Sequence, residues 1–165
     1  MSQEERIKEN LVNKFNYLGD SIKIVRPRRI SIEVSLDNFT PVFAYLAGEL
    51  QFTHLCTITG MDEPEKLGFI YHLASDSGVL INLKTAAPKN APVIKSVISY
   101  FPGAEIYERE LVDLFGAKVE GLPEGNRYPL TDDWPVDQFP LRKDWKPNSA
   151  TEKPACRQAG GDNNA

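Results

Sequence analysis

The chain has 165 residues, of which 41% are hydrophobic and 25% charged, and its net charge is -4. This predicts one globular domain plus a tail, and it argues against a nucleic-acid partner. Two cysteines, Cys56 and Cys156, are too few for a disulfide framework. No apolar run approaches the roughly 20 residues of a membrane helix, and the acidic N-terminus has no apolar signal core, so we expect a cytoplasmic protein.

The N-terminal segment has the pattern of an amphipathic helix. Ser2 and Glu5 have the spacing of a capping box. Apolar residues then recur on one helical face, and Gly19 is a natural stop. We therefore expect a helix over residues 3–18 that covers a sheet.

Two short β-branched runs follow, at residues 22–26 and 30–36. They predict a hairpin or a pair of strands. A second helix is expected after them, because Asp37 or Asn38 can cap a helix that has Pro41 in its first turn.

Three further strands are predicted at residues 53–61, 67–74 and 79–85, since runs of turn-forming residues separate them. Neighbouring strands joined by short turns favour an antiparallel meander. Short helices are expected at residues 91–100 and 104–115. The fold class indicated is α+β: a mostly antiparallel sheet with helices packed on one face.

The texture of the sequence changes after residue 116, which predicts three parts: an α+β domain at 1–116, an arm at 117–147 and a disordered tail at 148–165. The arm is expected to be extended because prolines interrupt it repeatedly. It also carries large apolar residues that a linker normally lacks, so we expect it to lie on a protein surface. The prolines are Pro123, Pro129, Pro135, Pro140 and Pro147.

The sequence has no glycine-rich phosphate loop and no Cys-x-x-Cys pair, so no cofactor or iron–sulfur site is predicted in this chain. His54 and Cys56 lie two residues apart on a predicted strand, but they are two ligands short of a closed structural zinc site. His72 has no evident partner for catalysis. Core packing is the preferred interpretation of all three.

A dense charged cluster, Glu108-Arg109-Glu110, lies on the helix predicted at 104–115. Arg109 and Asp113 are one turn apart and can pair. Paired carboxylates could do acid–base chemistry, but Glu108 and Glu110 point about 200° apart around a helix and cannot share a substrate. A solvated face is the default interpretation, and an interface with a partner protein competes with it.

Two linked motifs carry a family resemblance. Residues 107–116 read Y-E-R-E-L-V-D-L-F-G, and residues 140–144 read P-L-R-K-D and precede Trp145. In this order and spacing, the motifs resemble the thirty-kilodalton subunit family of respiratory complex I, whose bacterial member is the C subunit of NADH-quinone oxidoreductase. The upstream pattern is compatible with the family, so the resemblance covers roughly residues 5–147.

The resemblance implies a structural subunit that binds no redox cofactor itself. Its partners would be a large hydrogenase-like subunit, equivalent to the D subunit of complex I, and a small iron–sulfur subunit. Iron–sulfur clusters, and either a nickel–iron centre or a quinone site, would lie in those partners. Through the complex, the chain would be peripheral to the inner face of the cell membrane. The residues expected to contact partners are Glu108, Arg109, Glu110, Asp113, Phe115, Gly116, Trp134, Pro140, Leu141, Arg142, Lys143, Asp144 and Trp145.

The loop between the motifs bears on which branch of the family this is. Residues 130–135 read L-T-D-D-W-P, which resembles subunits of energy-converting nickel–iron hydrogenases more than ordinary complex I members. We expect the hydrogenase branch first and an NADH or ferredoxin:quinone oxidoreductase second. A small stand-alone enzyme using Glu108, Glu110 or Asp113, and a free-standing protein-binding module, are more distant alternatives.

Overall fold

The computed structural model describes residues 2–147, so the tail predicted at 148–165 lies outside the described residues. Within this range no helix is both long and apolar enough to cross a membrane. The helices are α1 Gln3–Lys14, α2 Leu36–Gly48 and α3 Ala104–Phe115, with a 3₁₀ helix at Asn16–Ser21. The strands are β1 Ile22–Arg26, β2 Arg29–Glu33, β3 His54–Asp62, β4 Lys66–Ala74, β5 Leu80–Pro88, β6 Val93–Lys95 and β7 Lys118–Glu120.

Five strands form the main sheet in the order β1-β2-β5-β4-β3, and β6 and β7 form a separate parallel pair. The predicted hairpin β1–β2 and the meander β3–β4–β5 are antiparallel, as expected. The contact between β2 and β5 is parallel, because the chain crosses over through α2 before the meander returns beside β2. The sheet is therefore mixed, within the predicted α+β class.

One face of the sheet carries the core. Along β5 the side chains of Ile81, Leu83 and Thr85 are buried, while the alternating positions Asn82 and Lys84 are only partly buried. The buried residues of all three α-helices belong to the same hydrophobic cluster as this face. The helices therefore cover one face of the sheet, as their amphipathic patterns predicted.

The ends of the first two helices differ from the predictions. Ser2 and Glu5 do form the capping box, but α1 ends at Lys14 and a 3₁₀ turn follows. The N-cap of α2 is Ser35, so the predicted caps at residues 37 and 38 are wrong. Pro41 consequently lies inside α2 and beyond its first turn.

The helix predicted at residues 91–100 is wrong. Val93–Lys95 form β6, which pairs in parallel with Lys118–Glu120, and turns follow. The partner strand lies more than 20 residues away in sequence, and this tertiary pairing overrides the local proline signal. Residues 121–147 form no helix or strand and contain several turns, so the extended course predicted for the whole arm is not confirmed.

Candidate functional site

Helix α3 organises the region that both sequence motifs occupy. It ends at Gly116, whose φ of 69° is left-handed and suits glycine. The N–H of Gly116 donates to the carbonyl of Val112 at 3.0 Å, and the N–H of Ala117 to that of Leu111 at 3.2 Å. A Cβ at position 116 would lie 2.6 Å from the Phe139 ring, so the glycine also lets the later segment approach the helix end.

Glu108 lies in the interior of the chain, and the solvated face expected for it is wrong. Its side chain is fully buried. Its two oxygens accept hydrogen bonds from the hydroxyl of Ser96 and from the backbone N–H of Val97, each at 2.7 Å. Burial raises the pKa of Glu108, although these two hydrogen bonds oppose the rise. Glu108 therefore fastens the segment after β6 to α3.

The other charges of α3 are also used within the chain. Arg109 pairs with Glu105 at 2.8 Å and donates to the carbonyl of Pro123 at 3.0 Å. Asp113 is buried and pairs with Arg127 at 3.2 Å. The expected pair of Arg109 with Asp113 is therefore wrong, because each group has a different partner.

The Pro-Leu-Arg-Lys-Asp motif caps the C-terminus of α3. The N–H of Leu141 donates to the carbonyl of Leu114 at 3.1 Å, and Nε of Arg142 donates to the carbonyl of Phe115 at 2.7 Å. A cation satisfies both the free carbonyls and the negative end of the helix dipole there. The guanidinium also stacks over the ring of Phe139, 4.9 Å from its centroid.

Asp62, at the end of β3, anchors the same motif. Its Oδ2 accepts the backbone N–H of Lys143 at 2.7 Å, and its two oxygens lie 2.8 and 2.9 Å from Nζ of Lys89. Lys89 also reaches Asp144 at 3.5 Å. Burial alone would raise the pKa of Asp62, but the Lys89 ammonium and the Lys143 N–H bring it below its ordinary value. The sequence prediction missed Asp62 and Lys89, since no local spacing connects them to the motif.

The two tryptophans of the chain meet through Gln138 in this segment. Their rings lie 6.1 Å apart. Nε1 of Trp134 donates to the Gln138 carbonyl and Nε1 of Trp145 to its side-chain oxygen, both at 2.9 Å. Leu141 remains 51% exposed beside them in sequence, which leaves an apolar group of the motif available for contact.

The expected contact residues thus fall into three groups, of which only two reach solvent. The buried ones are Glu108, Asp113 and Phe115. The partly exposed ones are Arg109, Glu110, Gly116, Trp134, Pro140, Arg142 and Trp145, and the exposed ones are Leu141, Lys143 and Asp144. Their contacts with other chains stay a prediction.

The histidines and Cys56 show no catalytic or metal-binding grouping in the part of the chain that the structure describes. Residues 2–147 contain no cluster of three or more His, Cys, Asp or Glu side chains that could hold a metal ion. His72 lies between Thr59 and Asn82, at 3.0 and 2.8 Å, and so links three strands. His54 is exposed and Cys56 is partly buried, so the core packing expected for His54 is wrong.

Comparison with known proteins agrees with the motifs. The C subunit of the F(420)H(2) dehydrogenase of Methanosarcina mazei is 39% identical over 141 residues, which cover 84% of this chain and 89% of that protein. The first of the C subunits of the NADH-quinone oxidoreductase of Rhizobium meliloti is 28% identical over 127 residues, covering 73% of this chain and 62% of that protein.

Solved structures share the fold. A chain of the membrane-bound sulfane sulfur reductase, an archaeal respiratory membrane complex, superposes with a TM-score of 0.75 at 27% identity, covering 88% of this chain and 86% of that one. A trypsin-resistant fragment of Nqo5 superposes with a TM-score of 0.63 at 24% identity, covering 73% of this chain and 98% of the fragment. The sequence profile described as "Respiratory-chain NADH dehydrogenase, 30 Kd subunit" matches residues 32–151. The chain belongs to this family of respiratory-complex subunits.

Proposed function

We propose that this chain is a non-catalytic subunit that docks on the large subunit of a membrane-bound, complex-I-like oxidoreductase. The observation that carries the proposal is the joint arrangement of the two family motifs. The end of α3 and residues 140–144 form one rigid unit, held by Arg142 and Asp62, and this unit presents Leu141, Lys143 and Asp144 to solvent. An apolar residue flanked by charges, on backbone fixed in advance, loses little entropy on docking.

The charges of α3 support an accessory role over an enzymatic one. Glu108 and Asp113, two of the three carboxylates considered for acid–base chemistry, are buried against Ser96 and Arg127. A general base must lie within hydrogen-bond reach of its substrate, and these two groups bind their own chain instead. We therefore propose that iron–sulfur clusters and the substrate site lie in a large and a small partner subunit, and that the chain is held at the inner face of the membrane by the complex.

The branch that oxidises F(420)H(2) is the one we favour. The Methanosarcina mazei protein matches at 39% identity and nearly in full length, whereas the Rhizobium meliloti protein is longer and less similar. The L-T-D-D-W-P segment at residues 130–135 keeps the energy-converting hydrogenase branch as a second candidate.

The test of the branch is to purify the complex from native membranes through a tag on this chain. We expect the large and small subunits to co-purify and the particle to oxidise reduced F(420), with little or no oxidation of hydrogen or NADH. Hydrogen oxidation as the main activity would select the second candidate. Recovery of this chain alone, with turnover of its own, would contradict the accessory role.

The test of the docking surface is Leu141→Asp. The side chain is 51% exposed, so the isolated chain should keep its melting temperature, while the complex recovered should fall by about tenfold or more. Val25→Asp is the matched control, since Val25 is 66% exposed on the distant edge strand β1 and should leave recovery unchanged. Equal recovery of the two variants would reject Leu141 as a contact.

A further inference from the structure

A second concave site lies where β2 ends and α2 begins. It is a cleft of about 380 Å³ whose walls contain no residue of α3 or of the Pro-Leu-Arg-Lys-Asp motif. The parallel pairing of β2 with β5 ends at Glu33 and Lys84, and β5 continues to Pro88. The cleft thus opens at the carboxyl end of β2, beside the N-terminus of α2. This is the position at which parallel strands most often bind ligands.

Thr85, in the wall of this cleft, has a hydroxyl that lacks a partner. The residue is only 1% exposed, and within residues 2–147 no group forms a hydrogen bond with its Oγ1. Buried polar atoms are nearly always satisfied in native proteins, by protein, by water or by a bound group. A ligand that reaches Thr85 would supply the missing hydrogen bond.

The N-terminus of α2 adds donors to the same cleft. Ser35, its N-cap, makes no side-chain hydrogen bond to the helix. The N–H of Asn38 bonds to the carbonyl of Ser35, whereas the first N–H groups of a helix, here those of Leu36 and Asp37, have no intrahelical acceptor. Leu36 and Asp37 both line the cleft, so this end of it favours a ligand with a hydrogen-bond acceptor.

The charges at the rim select against an ion of either sign. Asp37 and Glu120 would repel an anion, while Lys95 and the positive end of the helix dipole would repel a cation. A neutral amide suits all of these groups, because its carbonyl accepts from Thr85 or the helix N–H groups and its NH₂ donates to a carboxylate. Phe39 and Ile94 supply the apolar wall for its carbon chain.

We propose that this cleft is a socket for a carboxamide side chain, Asn or Gln, of a neighbouring subunit. The identity of the occupant rests on the proposed function, since it requires that the chain be part of a complex. The chemistry of the socket does not, because it can be measured on the full chain by itself.

The direct test uses three small probes of equal length on the isotope-labelled full chain: propionamide, propionate and propylammonium. We expect propionamide to give saturable NMR shifts at Leu36, Asp37 and Thr85, and the two ions to give none there. Thr85→Ser should retain the propionamide response, and Thr85→Val should weaken it by about tenfold, since only serine keeps the hydroxyl. Binding of an ion in preference to the amide, binding of none of the probes, or full binding by Thr85→Val would overturn the proposal.

The variants also give readings of opposite sign that a merely structural threonine would not. Thr85→Val replaces an unpartnered buried hydroxyl by a methyl group of the same shape, so the isolated chain should melt at the same or a higher temperature. The complex recovered should nevertheless fall severalfold, and Thr85→Ser should restore it. Unchanged recovery with Thr85→Val would reject a subunit side chain as the occupant. If the chain instead proves to act alone, the proposed function fails, while the probe titration still decides the chemistry of the cleft.

Discussion

Glu108→Ala is expected to lower the free energy of unfolding by about 2–4 kcal/mol. The substitution leaves a cavity in place of a fully buried side chain and removes the acceptor of the Val97 N–H and of the Ser96 hydroxyl. A buried donor left without a partner costs more than the hydrogen bond itself contributed. Urea denaturation of the full chain measures the effect. Glu110→Ala, on the same helix but partly exposed, is the control and should cost less than about 1 kcal/mol.

Glu108→Gln should be tolerated, and it should change how stability depends on pH. Glutamine keeps the volume, accepts the Val97 N–H through its oxygen and can donate to Ser96. Because the pKa of Glu108 is raised in the folded chain, the native state binds more protons than the unfolded state above about pH 4.3. Native Glu108 should therefore lose stability as pH rises from there through its raised pKa, and Glu108→Gln should lack this loss. Equal pH dependence in both proteins, or equal losses for Glu108→Ala and Glu110→Ala, would contradict the assigned role.

The same burial separates a structural role from a catalytic one. Glu108 touches Ser96 and Val97 and is closed off from solvent, so it meets no substrate. Turnover per assembled particle should therefore be unchanged in Glu108→Gln, and any activity lost should follow the amount of complex recovered.

Local patterns predicted the parts of the fold that are held by local interactions. The stripe of Leu111 and Phe115 and the stop at Gly116 define α3 within one residue, because a helix and its glycine cap are decided by neighbours in sequence. Turn-forming residues between β3, β4 and β5 likewise predicted the meander.

Contacts between distant residues could not be predicted from spacing. A sequence pattern gives the direction of Glu108 around α3, but its burial depends on the segment after β6, which was itself predicted as a helix. Asp62 lies 81 residues before Lys143 and 27 before Lys89. Such pairings are decided by the packed fold, and the family motif indicated that residues 140–144 matter without showing what holds them.

Asp62→Ala is expected to release the Pro-Leu-Arg-Lys-Asp motif from the domain and to cost about 2 kcal/mol. It removes the acceptor of the Lys143 N–H and leaves Lys89 with only the weaker contact to Asp144. The pKa of Asp62 is lowered in the folded chain, so its contribution is present above the ordinary value near 3.9 and is lost as pH falls through the native pKa. Mild acid should consequently have less effect on Asp62→Ala than on the native chain.

Tryptophan fluorescence can separate release of the motif from global unfolding. The chain has two tryptophans, Trp134 and Trp145, and both belong to the segment that Asp62 anchors. In Asp62→Ala the emission should change at a lower urea concentration than the far-ultraviolet circular dichroism, which reports α1 to α3 and the sheet. Asp144→Ala is the matched control, because Asp144 is 67% exposed and should leave both transitions nearly unchanged. Coincident transitions in Asp62→Ala, or an equal effect of Asp144→Ala, would show that Asp62 does not hold the motif, and the rigid surface proposed for docking would then need another anchor.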